Sequence, residues 1–229
     1  MIGESIRQAV ELLLTDGEVW SIILRSLQVS GLAVLFGCLL GIPLGVLVGI
    51  HRFRARGAVV AVINTGMALP PVVVGLFIFM LLSRSGPFGS LHLLYTKQAM
   101  VAAQLVLALP LILGITVSGI GAIPREVLDQ ARSLGASRWQ TAMAALGEAR
   151  PMLIVAVIAG FGRIIAEVGA VMIVGGNFHG DTQVMTTAIM EEVRKGNFSL
   201  ALALGVILLT IAFSANGVMA RLEQRAMAS

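Results

Sequence analysis

Residues 26–50 carry no charged side chain and read SLQVSGLAVLFGCLLGIPLGVLVGI. About 20 apolar residues in a helix cross a bilayer, so this run predicts a membrane span, reaching back to about residue 22 and tilted because of its length. Four further apolar runs follow, at about 58–82, 99–119, 152–174 and 199–219. Inside hydrocarbon the backbone must satisfy its own hydrogen bonds, which helices do. The expectation is an all-α polytopic membrane protein with five transmembrane helices. Only 12% of the residues are charged and no long polar block exists. Soluble domains carry about 25%, so no large soluble domain is expected. The expected division is an N-terminal extracytoplasmic segment (1–21), a transmembrane domain (22–220) and a cytoplasmic tail (221–229).

Local features qualify these spans. Gly37, Gly41, Gly45 and Gly49 recur at every fourth position of the first run. Such a stripe lacks Cβ atoms and lets another helix come close, within the chain or across a dimer. Pro43 predicts a bend there. Pro70 and Pro71 interrupt the second run and Pro110 the third. Breaks at that depth survive only where the freed carbonyls find partners inside the protein. Ahead of the first span, Ile2, Ile6, Val10 and Leu13 stand at helical spacing, which fits a surface-lying amphipathic helix or a frayed tail. Glu11, Asp16 and Glu18 precede the first run, so it is expected to span rather than to be a cleaved signal.

Residues 51–57, HRFRARG, are the strongest topology mark, since basic residues gather in cytoplasmic loops. With that turn inside, the inner segments hold Arg52, Arg54, Arg56, Arg125, Arg132, Arg138, Arg150, Arg221 and Arg225. The outer ones hold Arg7, Arg25, Arg84, Lys97, Arg194 and Lys195. This predicts the N-terminus outside and the C-terminus inside. The net charge of +4 is explained by topology and does not indicate nucleic acid.

The longest internal polar stretch, residues 125–151, is REVLDQARSLGASRWQTAMAALGEARP. It must lie in water between the third and fourth spans, on the cytoplasmic side. Val127, Ala131 and Leu134 share one helical stripe, and Trp139, Met143 and Leu146 repeat the spacing. Gly135 between them fits a C′ position, and Ser137 can cap the second helix. A helix–Gly–helix unit follows, either a docking surface for a soluble partner or a surface-lying connector.

Arg163 and Glu167 lie inside the fourth run, one helical turn apart. A charge near the bilayer centre costs at least about 2.5–3.5 kcal/mol. They are expected either to line the path of a charged substrate or to form an ion pair that fixes helix packing. Gly175, Gly176 and Asn177 at the end of that run, with Thr186 and Thr187 beyond, offer small polar groups for an anion or form a plain turn. Residues 184–194 fit another short helix.

Other chemistry is missing from the sequence. A P-loop needs Gly-Lys-Ser/Thr, and neither Lys97 nor Lys195 follows a glycine. His51, His92 and His179 are far apart without a second ligand type, and Cys38 is the sole cysteine. Neither a metal site nor a disulfide is expected. The chain reads as a conduit that takes its energy from elsewhere.

Asp129-Gln130-Ala131, three residues and then Gly135-Ala136-Ser137 resembles the EAA signature of binding-protein-dependent ABC import permeases. Asp and Gln replace its first two letters, and Pro151 arrives late. The segments Glu148-Ala149-Arg150, Gly162-Arg163, Glu167-Val168-Gly169-Ala170, Val174-Gly175-Gly176-Asn177 and Met185-Thr186-Thr187-Ala188-Ile189 are similar to tungstate-type permeases, relatives of the molybdate permeases. The resemblance implies a multi-pass permease of the bacterial inner membrane and an ATPase-coupling loop of Glu126, Asp129, Gln130, Ala131, Leu134, Gly135, Ala136 and Ser137. It implies as partners a second copy of the chain, two ABC ATPase subunits and an extracytoplasmic oxyanion-binding protein. No cofactor is expected on this chain; ATP and Mg belong to the partner ATPase. The alternatives are a permease for molybdate, sulfate or another small solute, and an ion-gradient-driven carrier, against which the sequence shows no internal repeat.

Overall fold

A computed structural model describes residues 14–51 and 53–228, together with Arg7, Val10 and Glu11. Side chains of the last helix are described to residue 215 and at Gly217, Val218 and Arg221. Ile2, Ile6 and Leu13 of the expected amphipathic helix lie outside the described residues, as does Arg52. The described residues form helices joined by short turns, with no strand among them.

The first helix, α1 (Gly17–Ile50), begins five residues earlier than the sequence suggests, because Asp16 accepts the Glu18 amide and caps it. At 34 residues it is about 51 Å long. The second apolar run is two helices, α2 (Arg56–Met67) and α3 (Pro71–Leu82), bent by 98° at the proline pair. Each is about 18 Å long, too short to cross alone. The Pro70 carbonyl is taken up by the Val73 and Val74 amides. Then α4 (Lys97–Gly121) runs unbroken through Pro110. The polar stretch is α5 (Arg125–Ser133) and α6 (Arg138–Glu148), and α6 meets α7 (Arg150–Ile165) at 71°.

The fourth predicted span departs most from the sequence reading. It is not one helix over 152–174 but α7, a break at residues 166–168, and the short α8 (Gly169–Gly175). α9 (Met185–Lys195) matches the expected short helix to one residue. The last helix, α10 (Phe198–Ala228), takes in most of what was expected to be a separate tail. Three helices are long and apolar enough to span alone (α1, α4 and Phe198–Ala215), or up to five spans if each bent pair counts as one.

The glycine stripe has a partner within the chain. A Cβ on Gly37 would come within 2.9 Å of Ile112, one on Gly45 within 2.7 Å of Thr116 and one on Gly49 within 2.6 Å of Ile120. Both series ascend, so α1 and α4 run parallel. Ile112 also fills the gap left by Gly160 on α7. Three apolar clusters stack along α1. Val19, Ile22 and Ile23 pack with Met185 and Leu204 at its start. Val29 and Ala33 pack with Ile112, Ile164 and Val171 in the middle. Val46 packs with Ile120, Leu128 and Ala145 at its end. The helix–Gly–helix unit therefore sits at the same end of the bundle as Ile50, where α1 ends.

Candidate functional site

The break in the fourth run is built around Glu167, which is 7% exposed although it carries a carboxylate. Its Oε1 accepts the amides of Gly169 at 2.8 Å and Ala170 at 3.2 Å, the free N–H groups at the start of α8. Its Oε2 accepts from Arg163 Nη1 at 3.2 Å. Neighbouring elements hold the break open. Gln104, buried on α4, donates to the Ile164 carbonyl at 3.1 Å, and Thr186 donates to the Glu167 carbonyl at 2.9 Å. The sequence reading passed over Gln104; a lone amide within an apolar run was its signal.

Arg163 is placed differently from its partner. Its side chain is 38% exposed, and only Nη1 has a bond among the described residues. Glu167 has two backbone donors besides the guanidinium, so removal of Arg163 does not leave it bare. The arrangement presents a guanidinium with free N–H donors in the last turn of α7, backed by a fixed carboxylate. Guanidinium donors suit oxyanions.

The other residues singled out at the end of this run serve the fold. Gly175 ends α8 and its carbonyl accepts from Thr182 at 2.6 Å. Gly176 takes a left-handed conformation there. Thr187 closes the start of α9 against Val184, and Thr186 is spent on the Glu167 carbonyl. Neither hydroxyl is free as a donor to an anion. Asn177 donates to Glu191 at 2.6 Å.

Glu191 gathers a cluster that sequence reading missed. Lys195 at 2.6 Å, Gln183 at 2.8 Å and His179 at 3.0 Å also converge on its carboxylate, and His179 reaches Glu18 of α1 at 3.5 Å. The Lys195 contact, with His179 and Asn177, holds the Glu191 carboxyl down at about 2, while Glu191 pushes the His179 imidazole up. Arg25, counted as an outer charge in the sequence, is buried and donates to the Gln183 carbonyl at 3.1 Å. Together these contacts clasp the start of α1 to the loop before α9.

At the opposite end, α5 and α6 form the expected hinge. Gly135 has φ +86°, and the Gly135 and Ala136 amides close α5 onto Arg132 and Ala131. Ser137 and Gln140 cap α6 reciprocally. The face turned to the bundle is Leu128, Thr141, Ala145 and Ala149, with Leu146 of the apolar stripe packed against it. Leu134 is 83% exposed and Trp139 is 74% exposed. Glu126, Asp129, Gln130 and Ser137 are exposed as well, with Ala131 and Ala136 half-buried. A polar edge with apolar residues bared beside it is a surface fit for a partner.

Residues 41–227 match the family described as "Binding-protein-dependent transport system inner membrane component". The chain belongs to this family. Among curated relatives, this family member is 41% identical over 210 residues to a probable anion ABC transporter permease protein of Haloferax volcanii, covering 90% of each chain. It is also 41% identical over 224 residues to the tungstate uptake system permease protein TupB of Peptoclostridium acidaminophilum, covering 97% of this chain and 98% of that one. The molybdenum transport permease ModB of Escherichia coli is 29% identical over 210 residues, covering 88% of this chain and 91% of that one. Among solved structures, a bacterial ABC transporter that imports alginate matches with a TM-score of 0.75 at 21% identity, covering 93% of this chain and 82% of that one. The MetNI methionine transporter matches at 0.66 and 19%, over 89% and 94% of the two chains. These two carry the fold. The chain is thus an ABC importer permease, a membrane transport component.

Proposed function

We propose that the chain is the permease subunit of an ATP-driven importer of an oxyanion, tungstate before molybdate. The observation that carries this reading is the near full-length match at 41% identity to a tungstate permease, against 29% for a molybdenum one. The N-terminus lies outside and the C-terminus inside, in the bacterial inner membrane. Two copies form the pathway. An ABC ATPase, which holds ATP and Mg, docks on Glu126, Asp129, Gln130, Leu134 and Ser137 of each copy. An extracytoplasmic binding protein meets the outer loops, residues 83–97 and 175–198.

Each residue has a defined part. Gly135 lets the α5–α6 unit turn as the ATPase closes. Because α6 joins α7 directly at Ala149, that movement is passed to the helix carrying Arg163. The free guanidinium donors of Arg163 meet the dianion in transit, and Glu167 holds Arg163 in place and offsets its charge when the path is empty. Reconstitution in liposomes with the ATPase and binding protein tests the reading. Tungstate uptake that depends on ATP, and that molybdate and sulfate compete with only weakly, is the expected result. Uptake without ATP, or equal competition by sulfate, overturns it.

A further inference from the structure

A groove of about 840 Å³ opens between the last turns of α1 and the α6 helix. Ligand sites fall at about 300–1,000 Å³. One wall is membrane-embedded and apolar, with Val46, Leu47 and Ile50 of α1; the other is α6, with Trp139 and Met143. Its rim is basic: Arg132, Arg138 and His51 line it, and no carboxylate does. Arg132 is held by Asp129 at 3.0 Å, but Arg138 has no ion pair or hydrogen bond among the described residues. Trp139 and Leu47 remain 74% and 55% exposed beside this charge. An aliphatic wall within the membrane thus meets uncompensated guanidinium at the membrane border.

From this juxtaposition we infer that the groove binds an anionic phospholipid of the cytoplasmic leaflet, its phosphate at Arg138 and its acyl chain along Leu47 and Ile50. The charge selects the occupant. A zwitterionic lipid would bring an ammonium group to the unpaired Arg138 guanidinium, whereas an anionic headgroup supplies the missing charge. The ATPase is assigned to Glu126, Asp129, Gln130, Leu134 and Ser137, none of which lines the groove. The leaflet rests on the orientation proposed above. The site links lipid to coupling, because the lipid would brace α6 next to the Gly135 hinge.

The chain has two tryptophans, so a Trp20→Phe variant leaves Trp139 as the sole indole. In proteoliposomes with the ATPase present, brominated phosphatidylglycerol should quench Trp139 at a several-fold lower mole fraction than brominated phosphatidylcholine. Arg138→Gln should cut that preference about fivefold. Arg125→Gln, an exposed arginine of the same stretch outside the groove, should leave it intact. Equal quenching by both lipids overturns the site. So does quenching that appears only when the ATPase is absent, since the ATPase would then be the occupant. The orientation is read separately by a membrane-impermeant maleimide on Ala144→Cys in a Cys38→Ser chain, Ala144 being exposed on α6 outside the groove. Labelling from the cytoplasmic side with no lipid preference sinks the lipid site alone. Labelling from the outer side sinks the orientation and the inference with it.

Discussion

Arg163 donates to Glu167 at 3.2 Å across the last turn of α7, while the other Glu167 oxygen holds the first two amides of α8. The carboxylate is buried and the guanidinium is half-exposed, so the two sides of the pair should respond differently to truncation. Glu167→Ala strips buried amides of their acceptor, at about 1–3 kcal/mol, and should lower the melting temperature markedly. Arg163→Ala removes a partly solvated partner, worth about 1 kcal/mol or less, and should fold nearly normally. Its tungstate uptake should fall at least about tenfold, the worth of a charge-assisted hydrogen bond. Normal uptake by a stable Arg163→Ala protein would leave the pair a packing device only.

Gly135→Val isolates the hinge. No atom lies within 4 Å of a Cβ built there, so the substitution meets no steric wall. Its whole effect comes from φ +86°, which costs a β-branched residue about 1–3 kcal/mol. The variant should insert and assemble, and its ATPase activity should no longer track uptake. Measuring ATP hydrolysed per anion transported checks this; an unchanged ratio would show that the left-handed turn is not needed for coupling.

The glycine stripe makes a prediction with a built-in contrast. A side chain at Gly45 would meet Thr116 on α4 at 2.7 Å, whereas one at Gly31 of the same helix would meet nothing within 4 Å. Overpacking a close helix contact costs about 1–3 kcal/mol, and Gly45→Val should fall in that range. Gly31→Ala should be neutral or stabilising by up to about 1 kcal/mol, the helix-interior cost of glycine. Thermal unfolding in detergent separates them, and equal melting temperatures would place the α1–α4 contact wrongly.

These contrasts show which features the sequence could carry. Local chemistry was legible. The Gly135 turn, the Ser137 cap, the Pro70–Pro71 break and the short helix over 184–194 depend on residues within a few positions of one another. What escaped depends on distant partners. Whether the glycine stripe faced α4 or a second copy was not decidable without knowing that Ile112, Thr116 and Ile120 rise beside it. The break after Ile165 has no proline to announce it. It exists because Gln104 and Thr186 take the carbonyls it releases, and both lie on other elements. Arg25 looked like a topology charge because its partner, the Gln183 carbonyl, is 158 residues away. On α5 and α6 the apolar stripe divides, with Leu146 packed on the bundle while Leu134 and Trp139 stay bare, a split that depends on α1 and α4 and not on the spacing.

The clasp of Glu191, His179 and Glu18 should give the end of the bundle where α1 begins a bounded pH range. The Lys195 contact lowers the Glu191 carboxyl from 4.5 to about 2. Its stabilisation is therefore complete above about pH 4.5 and fades as pH falls toward 2. Glu191 raises the His179 imidazole above 6.5. That part is complete below pH 6.5 and is lost as pH rises through the raised value. Both parts are present together between about pH 4.5 and 6.5. Glu191→Gln should therefore cost most stability in that interval, and the difference from the unaltered chain should shrink at both ends. His179→Ala should lose the alkaline decline and keep the acid one, since Lys195 still holds the Glu191 carboxyl low. Melting temperatures from pH 3 to 9 read both curves. A Glu191→Gln deficit that stays constant across that range would mean that hydrogen-bond geometry, and not charge, holds α1 to the loop.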